Sequence, residues 1–366
     1  ANTALAYLVS DVAPEAYALD DVSGGEASLT TTQQLTAYQD AGVLNVTADN
    51  LLAVNAQMRA ESTASNKDSV ADVQAIVGLA DAALAYISTT IAPETLAPAT
   101  VAEGETGISL ADQLAAYSAA GVRDLTADNL LAVNAQNRLV TDSTQKDSVG
   151  ELQALVSAAD TALAYLVSDV QVETYALDDV SGSEASLTTT EQLAAYSAAG
   201  VRDVTADNLL AVNAQMRLES AAAEKDSVAD VQAIVVRAET ALDYVVGTIA
   251  PLDSTAVTNA AVQLAAYGAA GITDVTAGNL LAVNAQIRKQ QAADGNTNNL
   301  ETVADLQAKV SAGNNALAYI LSDVAPETGF GEAGTGTLET QAQLDAYGDA
   351  GVLNVTADNL LAVNAQ

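Results

Sequence analysis

Cysteine and histidine are both absent from this chain, and tryptophan with them. Without cysteine there are no disulfides and no thiolate metal sites. Without histidine the commonest general base and the commonest metal ligand are missing. One phenylalanine (Phe330) and two methionines leave alanine, valine and leucine to do the packing, although half of the residues are apolar. Any core is therefore thin. Positive charge is scarce as well: 12 basic residues stand against 47 acidic ones, a net of −35. Phosphate contacts need clusters of Lys and Arg, which excludes nucleic acid as a partner, and docking on anionic lipid is disfavoured for the same reason. A surface this acidic suits solubility in salty water, weak association with divalent cations, or the mutual repulsion that holds a stalk extended. No apolar run reads as long enough to span a membrane, so no membrane insertion is expected. There is neither a signal peptide nor an initiator methionine, and Ala1 is read as an internal position.

What the sequence does have is repetition. Thr47-Ala48-Asp49-Asn50-Leu51-Leu52-Ala53-Val54-Asn55-Ala56-Gln57 returns at Thr126, Thr205, Thr276 and Thr356, with Gly278 as its one internal change. The spacings are 79, 79, 71 and 80 residues. A period this long marks an array of small units, each of which buries too little alone and gains from its neighbours. A unit near 60 residues hides only about 60% of its unfolded surface.

Three helical patterns fill one period. The first, over 30–41, carries Leu35 and Tyr38 and stops at Gly42, a C′ glycine. The second starts at Thr47 as N-cap, with Asn50 in the capping-box position and Asp49 near the positive dipole end. The third starts at Asp68-Ser69, and Val70, Val73, Ile76, Val77, Ala80 and Leu84 fall on one stripe at 3.6 spacing, with Tyr86 near its end. Its length predicts that the far end packs on the following unit's first helix. Between periods lies a polar segment of variable length that holds all five prolines, Pro14, Pro93, Pro98, Pro251 and Pro326. Length variation confined there places it on the surface.

The fold class that follows is all-α, a tandem array of about five small three-helix bundles joined by Pro/Gly-containing polar linkers. Residues 1–29 are the end of a truncated unit plus a linker, and 30–91 are unit 1. A linker at 92–108 leads to unit 2 at 109–170, and one at 171–186 to unit 3 at 187–249. A short linker at 250–258 leads to unit 4 at 259–324, and 325–337 to a truncated unit 5 at 338–366. Residues 1–12 nearly repeat 159–170, the second half of a third helix, so the sequence reads as a window on a longer repetitive protein.

The segment Leu193-Ala-Ala-Tyr196, Ala199-Gly200-Val201, Asn208-Leu209-Leu210-Ala211-Val212-Asn213 and Ser227-Val228-Ala229-Asp230-Val231-Gln232-Ala233 resembles the three-helix GA modules of bacterial surface proteins. It is also similar to repeats of very large secreted, adhesin-like bacterial proteins. The likeness covers about 45 residues of each unit, on core and capping positions and none of the linker. It implies a left-handed three-helix bundle on a cell-surface or extracellular protein. GA modules bind serum albumin, but the albumin-facing positions do not map onto this sequence and that activity is not carried over.

Candidates for chemistry are few. Asn55, Asn134, Asn213, Asn284 and Asn364 recur mid-helix, where a buried amide bonding a free helix-end carbonyl outweighs a ligand role. Tyr38, Tyr117, Tyr196, Tyr267 and Tyr347 in the first helix, and Tyr7, Tyr86, Tyr165, Tyr244 and Tyr319 in the third, read as the largest core residues, their hydroxyls at the bundle edge. A sugar-binding aromatic stripe is the sharper alternative. Asp20-Asp21 and Asp178-Asp179, near Glu26 and Glu184, would collect Ca²⁺ only loosely, lacking the alternating pattern of an EF-hand. A solvated acidic loop is the plainer reading. Arg59, Arg138, Arg217 and Arg288 close the second helix at its negative dipole end, with pairing to a neighbouring unit's acids as the alternative.

There is no Ser/His/Asp set, no Gly-x-x-x-x-Gly-Lys loop and no Gly-x-Gly-x-x-Gly after a strand. No catalytic, cofactor-binding or metal-ligating residue is assigned, no cofactor is expected, and the chain does not read as an enzyme. The expected partners are neighbouring repeats and copies of itself. The expected role is a stalk, spacer or fibre in adhesion or a surface matrix. A self-assembling filament or sheath with linkers between chains, and a host-protein or glycan binding module, are the alternatives.

Overall fold

The computed structural model describes residues 2–18, 20, 27–91, 108–174, 186–249, 260–294, 300–326 and 338–366. The protein is all-helical, with no β-strand among the described residues. The first of the fifteen α-helices among the described residues is α1 (Asn2–Tyr7). It is followed by α2 (Thr31–Ala41), α3 (Leu51–Ala60) and α4 (Val70–Tyr86), then α5 (Leu110–Ala119), α6 (Leu130–Leu139) and α7 (Val149–Tyr165). Next come α8 (Thr189–Ala198), α9 (Leu209–Leu218), α10 (Val228–Tyr244), α11 (Ala260–Ala269), α12 (Leu280–Asp294) and α13 (Val303–Tyr319). The last are α14 (Thr340–Asp349) and α15 (Leu360–Asn364). Contacts group the chain into two bodies. One holds residues 1–166, 195–202 and 226–229; the other holds 167–194, 203–225 and 230–366.

Local signals set the helix ends. Thr30 and Gln33 form a full capping box on α2, and Ser69 and Asp72 form one on α4, each satisfying two otherwise orphaned N–H groups. Gly42 ends α2 in the left-handed region at φ 85°, where a side chain would collide with its own backbone. Asn45 follows at φ 63°, a conformation that Asn and Asp tolerate better than other side chains. Regular helix then resumes at Leu51 rather than at Thr47. The turn before it is still capped as expected, because the Asn50 side chain accepts the Thr47 N–H at 2.8 Å. The Asn50 amide also donates to the Asn45 carbonyl at 3.0 Å and to Asp81 of α4 at 2.7 Å. One side chain thus pins the loop to both helices.

Each third helix ends in a π-helical turn: Leu8–Val12, Ile87–Ile91, Leu166–Val170, Val245–Ile249 and Ile320–Val324. In the first body, α3 lies along α4, while α4 and its π turn also pack on α5 of the next copy. The wider turn carries the apolar stripe from one partner to the other, and Leu8, Val12, Ile87 and Ile91 are wholly buried. Each such side chain contributes roughly 1.5–3 kcal/mol by leaving water. The second body repeats the arrangement. There Ile320 and Val324 share one core with Ala346, Tyr347 and Ala350 of α14 and Leu360 of α15. A core is therefore closed by the end of one third helix with the first and second helices of the following copy.

Two expectations change. Val70–Ile91 forms 22 residues of helix, long and apolar enough to cross a membrane by length and composition, contrary to the sequence reading. A core helix passes the same test, and the stripe from Val73 to Ile91 is buried. The linkers are not uniformly polar surface either: Ala13, Ala18 and Ala27 are buried, and so is Glu15. The Glu15 carboxylate accepts the Ser28 N–H at 3.1 Å and also the Ser28 hydroxyl, closing the loop on itself. Glu173 does the same with Ser186.

Candidate functional site

The recurrent Asn of the second helix stands at the centre of a buried polar network. Asn55 is fully buried; its Oδ1 accepts the Tyr38 hydroxyl at 2.7 Å and its Nδ2 donates to Gln34 Oε1 at 2.7 Å. The same amide reaches the Glu15 carbonyl, beyond the end of the preceding third helix, at 3.2 Å. Gln34 in turn donates to the carbonyls of Leu29 at 3.0 Å and Tyr17 at 3.1 Å. Both amides donate two bonds and each amide oxygen accepts one, so no polar atom of the pair is left unpaired within the low-dielectric core, where that would be costly. The network recurs as Tyr117–Asn134–Gln113, with bonds of 2.8 and 2.9 Å. It recurs again as Tyr267–Asn284–Gln263 and as Tyr347–Asn364–Gln343. In the third copy Asn213 donates to Gln192 at 2.8 Å.

The sequence reading missed the glutamine. Its signal was available: Gln34 precedes Tyr38 by one helical turn in every copy, which puts both on one face. The two tyrosine series divide. Tyr38, Tyr117, Tyr196, Tyr267 and Tyr347 are core residues, but their hydroxyls do not sit at the bundle edge; wherever the bond is described the hydroxyl points inward at the Asn. Tyr7, Tyr86, Tyr165, Tyr244 and Tyr319 are not core at all, being 38–44% exposed. Tyr86 follows Leu84 by two residues, about 200° around the helix, so it leaves the buried stripe.

Burial pushes the hydroxyls of Tyr38, Tyr117 and Tyr267 well above the usual phenol range. The protonated form is the one the fold favours. The stability this gives is whole below about pH 10, the unfolded value, and is lost as pH rises toward the folded one, by about 1.4 kcal/mol per unit for each tyrosine. In an alkaline titration the buried phenolates are expected to appear together with loss of helical circular dichroism. Their ionisation with helix signal intact would show the hydroxyls to be accessible to water.

The second copy carries a flaw. Asn137 is fully buried where the other copies have Met58, Met216 and Ile287, and neither of its amide atoms makes a hydrogen bond of good geometry. It interacts only with the oxygen side of the Tyr117 hydroxyl, whose proton is committed to Asn134. Asn137→Met should therefore raise stability, by about 1–3 kcal/mol, the cost of an unmet buried amide. Urea denaturation of the full chain measures it; an unchanged midpoint would mean that Asn137 is already satisfied.

Two arginines at the end of the second helix go to backbone carbonyls. Arg59 Nη1 donates to the carbonyls of Ala13 at 2.9 Å and Glu15 at 2.6 Å, and Arg217 to those of Gln171 and Glu173. Arg59, Arg138 and Arg217 do stand in the last turn of the second helix, as read from sequence, while the Arg59 and Arg217 guanidinium groups reach across to the preceding linker. The end of the second helix also carries a lysine cap that spacing did not single out. Lys67 Nζ donates to the carbonyls of Met58 at 3.0 Å and Glu61 at 2.6 Å, and Lys146 and Lys225 do likewise.

The organising stretch also faces outward, to the next copy. Gln57 Nε2 donates to the Ala119 carbonyl at the end of α5 at 2.8 Å, and the Asp49 carbonyl accepts the Val149 N–H of α7 at 3.1 Å. Gly121 backs onto α3 so closely that a Cβ there would meet the Leu52 oxygen at 2.7 Å. The seam recurs with Gln136 on Ala198, Gln215 on Ala269 and Gln286 on Asp349, at 2.6–2.7 Å. Gly200, Gly271 and Gly351 press against Leu131, Leu210 and Leu281 in the same way.

Of the acidic loop, Asp20 accepts the Thr31 N–H at 2.8 Å and its hydroxyl at 2.9 Å. That backbone bond holds the carboxyl below the usual range. Asp21, Glu26, Asp178, Asp179 and Glu184 lie outside the described residues. Among the described residues no three acidic groups gather as metal ligands would. The buried network offers neutral amides and protonated phenols, with no group that titrates near neutrality and no activated nucleophile. Compared with known protein families, curated proteins and solved structures, this chain matches none of them.

Proposed function

We propose that the chain is a tandem array of small three-helix units whose role is mechanical: an extracellular stalk, spacer or fibre of a bacterial surface protein. The observation that carries the reading is the seam. Four junctions use the same glycine, the same Gln-to-carbonyl bond and the same stretch of second helix. Nearest-neighbour interfaces of one kind, repeated, are what a linear repeat protein needs. The net charge of −35 supports it too, since like charges along an array oppose collapse. The neutral buried network supports a non-enzymatic role, with neighbouring repeats as the main partners and neither nucleic acid nor membrane insertion involved. Placement at the cell surface rests on the resemblance to GA-module-like repeats.

Small-angle scattering of the full chain in dilute solution tests the array. A compact globule of this length has a radius of gyration of about 21 Å. The array requires a clearly larger value and a skewed distance distribution. A value near that of the globule, with a symmetric distribution, would sink the reading.

A further inference from the structure

The triplet Asn-x-Ser/Thr occurs twice in the sequence, and both times on the turn that precedes the second helix: Asn45-Val46-Thr47 and Asn354-Val355-Thr356. With x other than proline it is the acceptor pattern for an N-linked glycan, a bulky group that only a surface position can carry. The fold supplies such a position. Residues 45, 124, 203, 274 and 354 are equivalent, all exposed and all left-handed, with φ between 59° and 63°. Asp124, Asp203 and Asp274 belong to copies with a neighbour on either side, so the exposure is a property of the turn itself. The turn is held through its backbone. The Asn45 carbonyl accepts the Asn50 amide at 3.0 Å, the Leu44 N–H donates to Gln74 Oε1 at 2.9 Å, and Gln74 Nε2 donates to the Leu44 carbonyl at 2.9 Å. The Asn354 carbonyl accepts the Asn359 amide at 2.9 Å. Among the described residues no hydrogen bond uses the side-chain amide of Asn45 or Asn354. The conformation does not ask for an amide either, because the three aspartates adopt it as well.

We infer that Asn45 and Asn354 are modification sites, each the acceptor of an N-linked glycan, and that Asp124, Asp203 and Asp274 are the same turn without the acceptor. The donor is a sugar chain carried on a lipid pyrophosphate. Asn45 Nδ2 forms a bond to the anomeric carbon of the first sugar, and the bond from that carbon to the pyrophosphate oxygen breaks. The lipid pyrophosphate leaves, and Nδ2 gives up one proton to the transferase. The Thr47 hydroxyl, on an exposed residue two places on, completes the recognised triplet. Since the free amide has no partner in the fold, the substituted side chain extends into solvent and breaks no bond. A carboxylate in its place has no N–H to give, so the three internal copies stay bare. The inference deepens the array reading and rests on its extracellular placement, because such triplets are used on the surface loops of secreted chains.

Peptide mapping by mass spectrometry, on the full chain recovered from the cells that make it and from their surroundings, is the test. The peptides that hold Asn45 and Asn354 should carry a sugar mass increment, and those that hold Asp124, Asp203 and Asp274 none. Asn45→Asp installs the residue that the internal copies have, and keeps one that tolerates the left-handed region. It should abolish the increment on its own peptide, leave the one at Asn354 in place and leave the urea midpoint unchanged. Asp124→Asn completes an Asn-Leu-Thr triplet on an internal turn and should add a third increment. A chain found outside the cell with Asn45 or Asn354 bare overturns this proposal and leaves the array reading standing. So does an increment that survives Asn45→Asp. A chain found only inside the cell overturns the placement, and the proposal with it.

Discussion

Gly121→Ala is expected to cost far more than Gly42→Ala, although both glycines sit at the same turn in the same left-handed conformation, φ 80° and 85°. The conformational part is common to both, roughly 1–2 kcal/mol for a residue with a Cβ. At Gly42 nothing else is asked, because no atom lies within 4 Å of the new methyl. At Gly121 the methyl would lie 2.7 Å from the Leu52 oxygen, 2.9 Å from its carbonyl carbon and 3.0 Å from Ala53 N. All three are helix backbone and cannot yield as a flexible side chain would. The junction has to open, exposing buried Ala53 and loosening the Gln57 bond to Ala119. Together these bring the expected cost to about 3–5 kcal/mol, in the range reserved for strain or overpacking at a special site. Denaturation of the two variants, with amide exchange followed at Leu52–Gln57, separates the terms. Equal costs at the two positions would mean that the seam is loose in solution.

The second large effect is expected at Asn55. Asn55→Leu keeps the branching of the side chain but strands the Tyr38 hydroxyl and Gln34 Oε1 inside the core, while the Glu15 carbonyl keeps Arg59 as a donor. An orphaned buried group costs about 1–3 kcal/mol, so a loss of roughly 2–5 kcal/mol follows even though a leucine is more apolar. Tyr38→Phe alone removes one of the partners; in the Asn55→Leu background it removes one of the orphans instead. The double variant should therefore be more stable than the sum of the singles implies, with a coupling of about 1–2 kcal/mol. Strict additivity in the urea midpoints would dismantle the network as an energetic unit.

Much of the chain was legible from sequence because the signals act over one turn. Thr30 with Gln33, Ser69 with Asp72, and Gly42 each settle a helix end through neighbours three or four residues away. The stripe from Val70 to Leu84 announces a helix by period alone. The buried role of the recurrent Asn also followed from its mid-helix place, though its tyrosine and glutamine partners did not. The acidic surface and the absence of histidine and cysteine needed no structure at all.

What sequence could not decide depends on groups brought from far along the chain. Tyr38 turns its hydroxyl inward only because Asn55, 17 residues further along the chain, is brought against it by the packing of α3. Arg59 finds its acceptors 44 and 46 residues away, and Gln57 finds Ala119 at a separation of 62. Local propensity is blind at such distances, because the bond exists only after chain closure has been met by burial elsewhere. The repeat, its helices and their caps were thus written in short-range chemistry. The packing of each third helix on the following copy's first helix followed from its length, but the long-range partners of Arg59 and Gln57, and the second duty of each glycine at the seam, were decided by which surfaces the folded chain brings together.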